Sequence, residues 1–332
     1  MSIDFLIFVE IFYFVQIKEM CYNYIKLKFC TGVRKIRNFE EIFALAREKE
    51  GARVAVACAH DSHVLSAATS AQQKGIADFI MIGDAHKING LIDACQLPAR
   101  FEIVDERDPA AACAAAVSLV ASGAASALMK GAVDTSVVVR AALDREAGMR
   151  SGKKLSHVAA FQMPTYHKLL FVTDAAINIA PDFDAKKDII ANALEALRNL
   201  GITMPKAALL AAKEKTDEKM SVTMEYAELV KLHKDGLFES ANAIIDGPLA
   251  LDNAVSAESC EIKGINSPVG GDADLLVCPD IEAGNILYKS LAFLAGGKNG
   301  GVVLGAKRPI ILTSRADSAE SKLISIALSV LS

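Results

Sequence analysis

With 332 residues, 52% of them apolar and 23% charged, the chain is long enough for two medium α/β domains and is no small disulfide-held module. A formal net charge of -4 leaves no broad positive field, so nucleic-acid binding is not expected. The seven cysteines are odd in number and set mostly in apolar runs, as around Cys58 and Cys278, which is the usage of a reducing, cytoplasmic compartment; no Cys-x-x-Cys pair supplies zinc-ligand spacing.

Residues 5–17 form a dense aromatic and aliphatic run. It falls short of the roughly 20 residues a membrane span needs, and it lacks the basic start and small-residue cleavage site of a secretory signal. Residues 1–35 are therefore read as an extension ahead of the folded unit, with no membrane partner expected. From Arg53 onward, short β-branched or apolar runs at 53–58, 79–82 and 126–129 predict buried strands. Between them, 61–74 and 108–122 have helix composition, opened by Asp61-Ser62 and Asp108-Pro109. A basic loop at 150–154 precedes a second series: strands at 158–161 and 169–173, a helix at 186–200 stopped by Gly201, a strand at 206–212 and a helix at 226–234. Strands at 243–246 and 275–278, a helix at 284–295, strands at 301–304 and 310–313, and a last helix from Ser318 complete it. Strand-helix alternation at this spacing predicts a mostly parallel sheet with helices on both faces, and such sheets bind ligands beyond the carboxyl ends of their strands.

Four strand-end segments there join glycine to cations, hydroxyls or amides. Lys130-Gly131-Ala-Val-Asp134-Thr135, followed by Arg140, offers close backbone approach and a guanidinium fork for phosphate. Ser267-Pro-Val-Gly270-Gly271 precedes a strand, and Ile281-Glu-Ala-Gly284-Asn285-Ile-Leu-Tyr288-Lys289 follows one. A helix beginning at Gly284-Asn285 presents free N–H groups to an anion, and Asn285 serves equally well as a cap. Thr313-Ser314-Arg315-Ala-Asp317-Ser318-Ala-Glu320 brings a hydroxyl for an oxyanion, a guanidinium for phosphate and carboxylates able to take a thiol proton. The same residues also suit a helix start, capped by Asp317 or Ser318 with Glu320 in the first turn.

These segments, taken in order with Leu155-Ser-His157-Val, Asp174-Ala-Ala-Ile-Asn178 and Asp246-Gly-Pro-Leu-Ala-Leu-Asp252-Asn253, resemble the phosphate acetyl/butyryltransferase family from residue 36 to the C-terminus. Asp252-Asn253 and the Ser-Arg-Ala-Asp-Ser close are more similar to the butyryl branch. The resemblance implies two α/β/α domains with mostly parallel sheets, isocitrate/isopropylmalate dehydrogenase-like, with the active site in the interdomain cleft. The first domain would comprise 36–154 plus 305–332 and the second 155–304, with 1–35 outside the family pattern. It implies exchange of a short acyl group, butyryl foremost, between coenzyme A and inorganic phosphate by a homodimer or higher homo-oligomer. Acyl-CoA, phosphate and acyl phosphate are then the partners, coenzyme A is a substrate, and neither a bound cofactor nor a metal is expected.

Ser314, Arg315 and Arg140 match the family's serine-arginine pair and further arginine. The family's acid lies farther beyond the serine than Asp317 does, so Asp317 and Glu320 are both candidate bases. Lys130, Gly131, Thr135, Gly270, Gly284, Asn285, Tyr288 and Lys289 complete the expected substrate-binding set. Three rivals remain: a phosphate acetyltransferase, a non-catalytic acyl-CoA or acyl-phosphate sensing module, and a metal- and NAD(P)-dependent decarboxylating dehydrogenase. The last needs an aspartate set, from Asp246 and Asp252 or from Asp272 and Asp274, and no dinucleotide glycine fingerprint follows an early strand.

Overall fold

The computed structural model describes residues 36–314 and 316–332; the extension at 1–35 and Arg315 lie outside the described residues. Eleven strands form one continuous sheet in the order β3-β2-β1-β4-β11-β10-β5-β6-β9-β7-β8. In chain order they are β1 Arg53–Ala57, β2 Asp78–Gly83, β3 Glu102–Asp105, β4 Ala127–Lys130, β5 Ser156–Gln162 and β6 Leu170–Thr173. β7 Lys206–Leu210, β8 Ile244–Leu249, β9 Leu275–Val277, β10 Lys298–Leu304 and β11 Ile310–Ile311 follow.

The pairing is parallel throughout β3-β2-β1-β4-β11 and throughout β6-β9-β7-β8. Between these blocks, β11–β10, β10–β5 and β5–β6 pair antiparallel, so the two parallel blocks run in opposite directions. A mostly parallel sheet is as expected from the sequence; the central antiparallel ribbon is not, because the direction of a strand follows from which distant segments pair with it.

Strand side chains alternate between two cores, as the pleat requires. Val54 and Val56 of β1, Met129 of β4, Val158 of β5 and Phe171 of β6 share one core running beneath both blocks. On the other face the core is divided. Ala55, Ile80, Leu128 and Ile310 belong to one cluster, and Ala159, Phe161, Val172 and Leu276 to another.

The helices are α1 Phe39–Arg47, α2 Ser62–Gln73, α3 Ala85–Ala94, α4 Pro109–Ala121, α5 Thr135–Ala142 and α6 Phe183–Asn199. α7 Ser221–Lys234, α8 Leu251–Val255, α9 Ala257–Lys263, α10 Ile281–Lys289 and α11 Ala319–Leu331 complete them. Asp61 and Asp108 cap α2 and α4 as anticipated, accepting from the N–H groups of Val64 at 2.9 Å and Ala111 at 2.8 Å. The short or weakly apolar elements α1, α3, α5, α8, α9 and β3 were not legible as separate elements. Only one side chain of α3, Ile88, is buried, which leaves almost no periodic signal.

Candidate active site

β11 is buried on both faces and delivers the chain into a tight turn at Ser314. The Asp317 N–H donates to the Ser314 carbonyl at 3.2 Å. In return the Ser314 N–H donates to Asp317 Oδ2 at 2.7 Å, and the Ala316 N–H donates to Ser314 Oγ at 3.3 Å. Because that oxygen accepts from within the turn, its own proton is available to a partner in front of it. α11 begins two residues after Asp317, at Ala319. Its cap is Ser318, which accepts from the Ser321 N–H at 3.1 Å, while Asp317 closes the turn instead.

Beneath the turn lies Lys322, only 1% exposed. Its ammonium donates to the carbonyls of Ser314 at 3.1 Å and Asp317 at 2.7 Å. Burial pushes its pKa below the ordinary lysine value, while Asp317 and Asp61 oppose the shift. Sequence reasoning passed over this residue. Its signal was a single lysine in a helix whose other residues from 323 to 329 are all buried, a position that a cation occupies only with partners.

The opposite wall is α10, which follows β9. The helix starts at Ile281 under an Asp280 cap that accepts from the Ala283 N–H at 2.8 Å. The expected anion site at Gly284-Asn285 is therefore corrected: the Gly284 N–H already donates to the Asp280 carbonyl at 3.1 Å. What Gly284 provides is close approach, since a Cβ there would run into the Asp174 carbonyl. Asn285 Nδ2 donates to the Ala175 carbonyl at 3.1 Å, and the Tyr288 hydroxyl donates to Asn299 Oδ1 at 2.8 Å.

Between the walls opens a cleft of about 170 Å³, lined by Asn285, Tyr288 and Lys289 on one side and Thr313, Ser314 and Asp317 on the other. Gly300 and Gly301 of β10 and His157 of β5 contribute to the same lining, where the antiparallel ribbon separates the two core clusters. His157 is 9% exposed, and burial lowers its pKa against the opposing pull of Asp174 and Asp317. Its carbonyl accepts from Thr173 Oγ1 at 2.8 Å, and its ring meets Tyr288 edge-on with centroids 6.0 Å apart.

Five of the expected site residues thus line one cleft: Asn285, Tyr288, Lys289, Ser314 and Asp317. Gly284 sits just behind it. Glu320 lines an adjoining hollow of about 280 Å³ and pairs with Lys298 at 2.7 Å. Lys130, Gly131, Thr135, Arg140 and Gly270 are not among the lining residues of the cleft, and Arg315 lies outside the described residues. Lys130 ends the strand paired with β11, and its buried ammonium donates to the carbonyls of Gly131 at 3.3 Å and Val133 at 3.2 Å. The Gly131 N–H is bonded to the Ala57 carbonyl at 2.8 Å, and the close backbone approach that the glycine permits is to the chain itself, because a Cβ would strike the Cys58 carbonyl.

Thr135 is the first residue of α5, and Arg140, in the last turn of that helix, lines a separate groove against α4. Gly270 packs in the turn beside Cys260, whose sulfur would lie 2.7 Å from an added Cβ. The aspartates suggested for a metal are engaged elsewhere. Asp272 and Asp274 pair with Lys168 at 3.1 and 2.6 Å, Asp252 pairs with Lys263 at 2.8 Å, and Asp246 accepts from Ser267 Oγ at 2.5 Å. Among the described residues, no three His, Cys, Asp or Glu side chains are grouped to hold a metal ion.

Comparison with known proteins bears on what this cleft serves. A family model described as phosphate acetyl/butaryl transferase matches residues 38–112 and 107–330. The phosphate butyryltransferase of Clostridium beijerinckii is 42% identical over 296 residues, covering 89% of this chain and 97% of that protein. A phosphate acetyltransferase of Rhizobium meliloti is 40% identical, with 88% of this chain and 92% of the relative covered. The crystal structure of a branched-chain phosphotransacylase from Enterococcus faecalis V583 superposes with a TM-score of 0.76 at 35% identity, spanning 84% of this chain and 98% of that one. The chain belongs to the phosphate acetyl/butyryltransferase family.

Proposed function

We propose that the protein transfers a short acyl group reversibly between coenzyme A and inorganic phosphate, with butyryl preferred, in a ternary complex of enzyme and both substrates. The observation that carries this reading is the Ser314–Asp317 turn, which places a hydroxyl donor and a carboxylate in one cleft facing Lys289. Asp317 is the better-placed base, since Glu320 is held outside the cleft by Lys298.

In the direction of thioester synthesis, Asp317 takes the thiol proton of coenzyme A and the thiolate attacks the carbonyl carbon of the acyl phosphate. Ser314 donates to the oxygen on which charge builds. The bond from carbon to the phosphate oxygen then breaks, its electron pair leaves with inorganic phosphate, and Arg315 and Lys289 hold that anion. A free thiol titrates near about 8.5, so a modest cationic field suffices to supply thiolate at neutral pH. Among the described residues no cysteine lines the cleft, and burial pushes the nearby Cys278 thiol up to about 12, which favours direct transfer over an acyl-cysteine intermediate.

A two-domain reading has support in the strand order. β3, β2, β1, β4 and β11 all come from 36–154 plus 305–332, and the other six strands from 155–304. The cleft draws Thr313, Ser314, Asp317 and Ser321 from the first set and His157 and residues of α10 and β10 from the second, as an interdomain site would. We place the protein in the cytoplasm as a homodimer or higher homo-oligomer; among the described residues no helix is long and apolar enough to cross a membrane.

The test is turnover of acetyl-, propionyl-, butyryl- and branched-chain acyl-CoA with phosphate, following thiol release and acyl phosphate formation. Butyryl-CoA is expected to give the highest kcat/KM, without added metal and in the presence of a chelator. Failure to release thiol from any of the four would overturn the assignment.

A further inference from the structure

Within the transferase reading above, we propose that His157 is a further catalytic residue, a neutral imidazole whose Nε2–H donates to the acyl oxygen alongside Ser314. Three observations converge on it. The ring belongs to the lining of the cleft, together with Ser314 and Asp317. Its Nδ1 is buried and has no hydrogen-bond partner among the described residues. The ring lies over the bare Cα of Gly301, and a Cβ on that glycine would overlap Nε2, so β10 omits a side chain where the imidazole needs room.

The protonation state follows from that geometry. An imidazolium, or the tautomer protonated on Nδ1, would bury an N–H with no acceptor among the described residues, which is the costly kind of unmade hydrogen bond. A neutral ring with its proton on Nε2 leaves only an unshared lone pair inside, the cheaper deficit. Among the described residues, the charged and titratable groups facing the ring are Asp174 beyond β6, Asp317 in the serine turn and Tyr288 on α10, with Lys289 in the same cleft lining. The two aspartates pull the ring toward protonation and burial outweighs them, so the imidazole stays neutral at pH 7. A neutral imidazole is a competent electrophile toward a carbonyl, and it adds a second donor for the oxyanion without burying a further charge.

Two kinds of measurement test this. In ¹⁵N-labelled protein, the His157 nitrogens should report the neutral, Nε2-protonated tautomer from about pH 6 to 8, and an imidazolium or the Nδ1-protonated form at pH 7 would overturn the proposal. In kinetics, His157→Ala should lower kcat about 100-fold with KM for coenzyme A and phosphate within about three-fold of the parent, the size of losing one oxyanion donor. His157→Gln, whose amide N–H reaches a similar place, should recover at least about ten-fold of that loss and keep the parent's kcat–pH profile.

Gly301→Ala retains the imidazole but displaces it, and should reproduce the His157→Ala defect with an unchanged circular dichroism spectrum. Alanine at 157 with near-parental kcat refutes the role, and a Gln variant as inactive as the Ala variant that also loses the acid limb marks a general base instead. Failure of the transferase reading itself would look different: the parent protein would turn over no acyl-CoA, whatever its tautomer.

Discussion

Replacing Lys322 by methionine removes one charge from a site that is 1% exposed and leaves the side chain's volume nearly unchanged. Two carbonyls, those of Ser314 and Asp317, lose their donor. A hydrogen bond to a charged group contributes about 1.5–3 kcal/mol, so the pair alone would cost about 3–6 kcal/mol. Relief of the buried ammonium's desolvation, several kcal/mol in the other direction, offsets much of that. A net destabilisation of about 1–3 kcal/mol is expected.

The kinetic effect should be larger than the thermodynamic one. Ser314 and Asp317 belong to a turn whose carbonyls Lys322 fixes, and a displacement of about 1 Å at reacting groups is enough for a 100-fold loss. Lys322→Met should therefore fold, with a melting temperature lowered by a few degrees and kcat reduced about 100-fold. Arginine at this position should rescue poorly, because the larger planar fork does not fit a cavity shaped for an ammonium. Steady-state kinetics beside thermal unfolding decide the matter. If Lys322→Met keeps kcat within about two-fold of the parent, the turn does not depend on this cation and the argument fails.

Arg315→Ala should fold normally and lose at least about 100-fold in turnover, with partial recovery in Arg315→Lys; a surface arginine would instead change stability by about 0–1 kcal/mol and leave turnover alone. Gly284→Ala drives a Cβ into the Asp174 carbonyl, so its unfolding midpoint should fall by the equivalent of about 1–3 kcal/mol, and an unshifted midpoint would show that α10 slides away freely. Burial alone would raise the Asp272 carboxyl, but hydrogen bonds from Lys206, His167 and Lys168 hold it well below the usual carboxylate range. Its folded pKa is depressed, so its stabilisation is present above the unfolded value of about 3.9 and is lost as pH falls through the folded one. Asp272→Asn should therefore be less stable than the parent in urea at neutral pH and converge with it below about pH 4; a constant difference across that window would contradict the linkage.

Much of the fold was legible because buried strands and capped helices write themselves locally. β1, β2, β4, β7 and β9 appear as apolar runs between turn residues, and Asp61 and Asp108 announce the helices they cap. The start of α10 was misplaced by three residues, because Gly284-Asn285 has the composition of a cap and yet lies inside the helix, where the glycine lets the Asp174 carbonyl pack directly against it. At Gly131 the close approach is to the Cys58 carbonyl just beyond β1, more than seventy residues away in sequence.

The sequence by itself determined the family, the alternation of strands and helices, and the segment that carries Ser314, since each rests on residues adjacent in the chain. Only the tertiary structure decided which strand-end segments meet. The antiparallel β10–β5 ribbon reverses the second parallel block, so strand ends that look equivalent in sequence fall on opposite edges of the sheet. α10 lies in the connection between β9 and β10, and Tyr288 and Lys289 at its end thereby come to face the turn at Ser314. What Lys322 and His157 touch was decided only there, because burial is set by contacts among segments far apart along the chain.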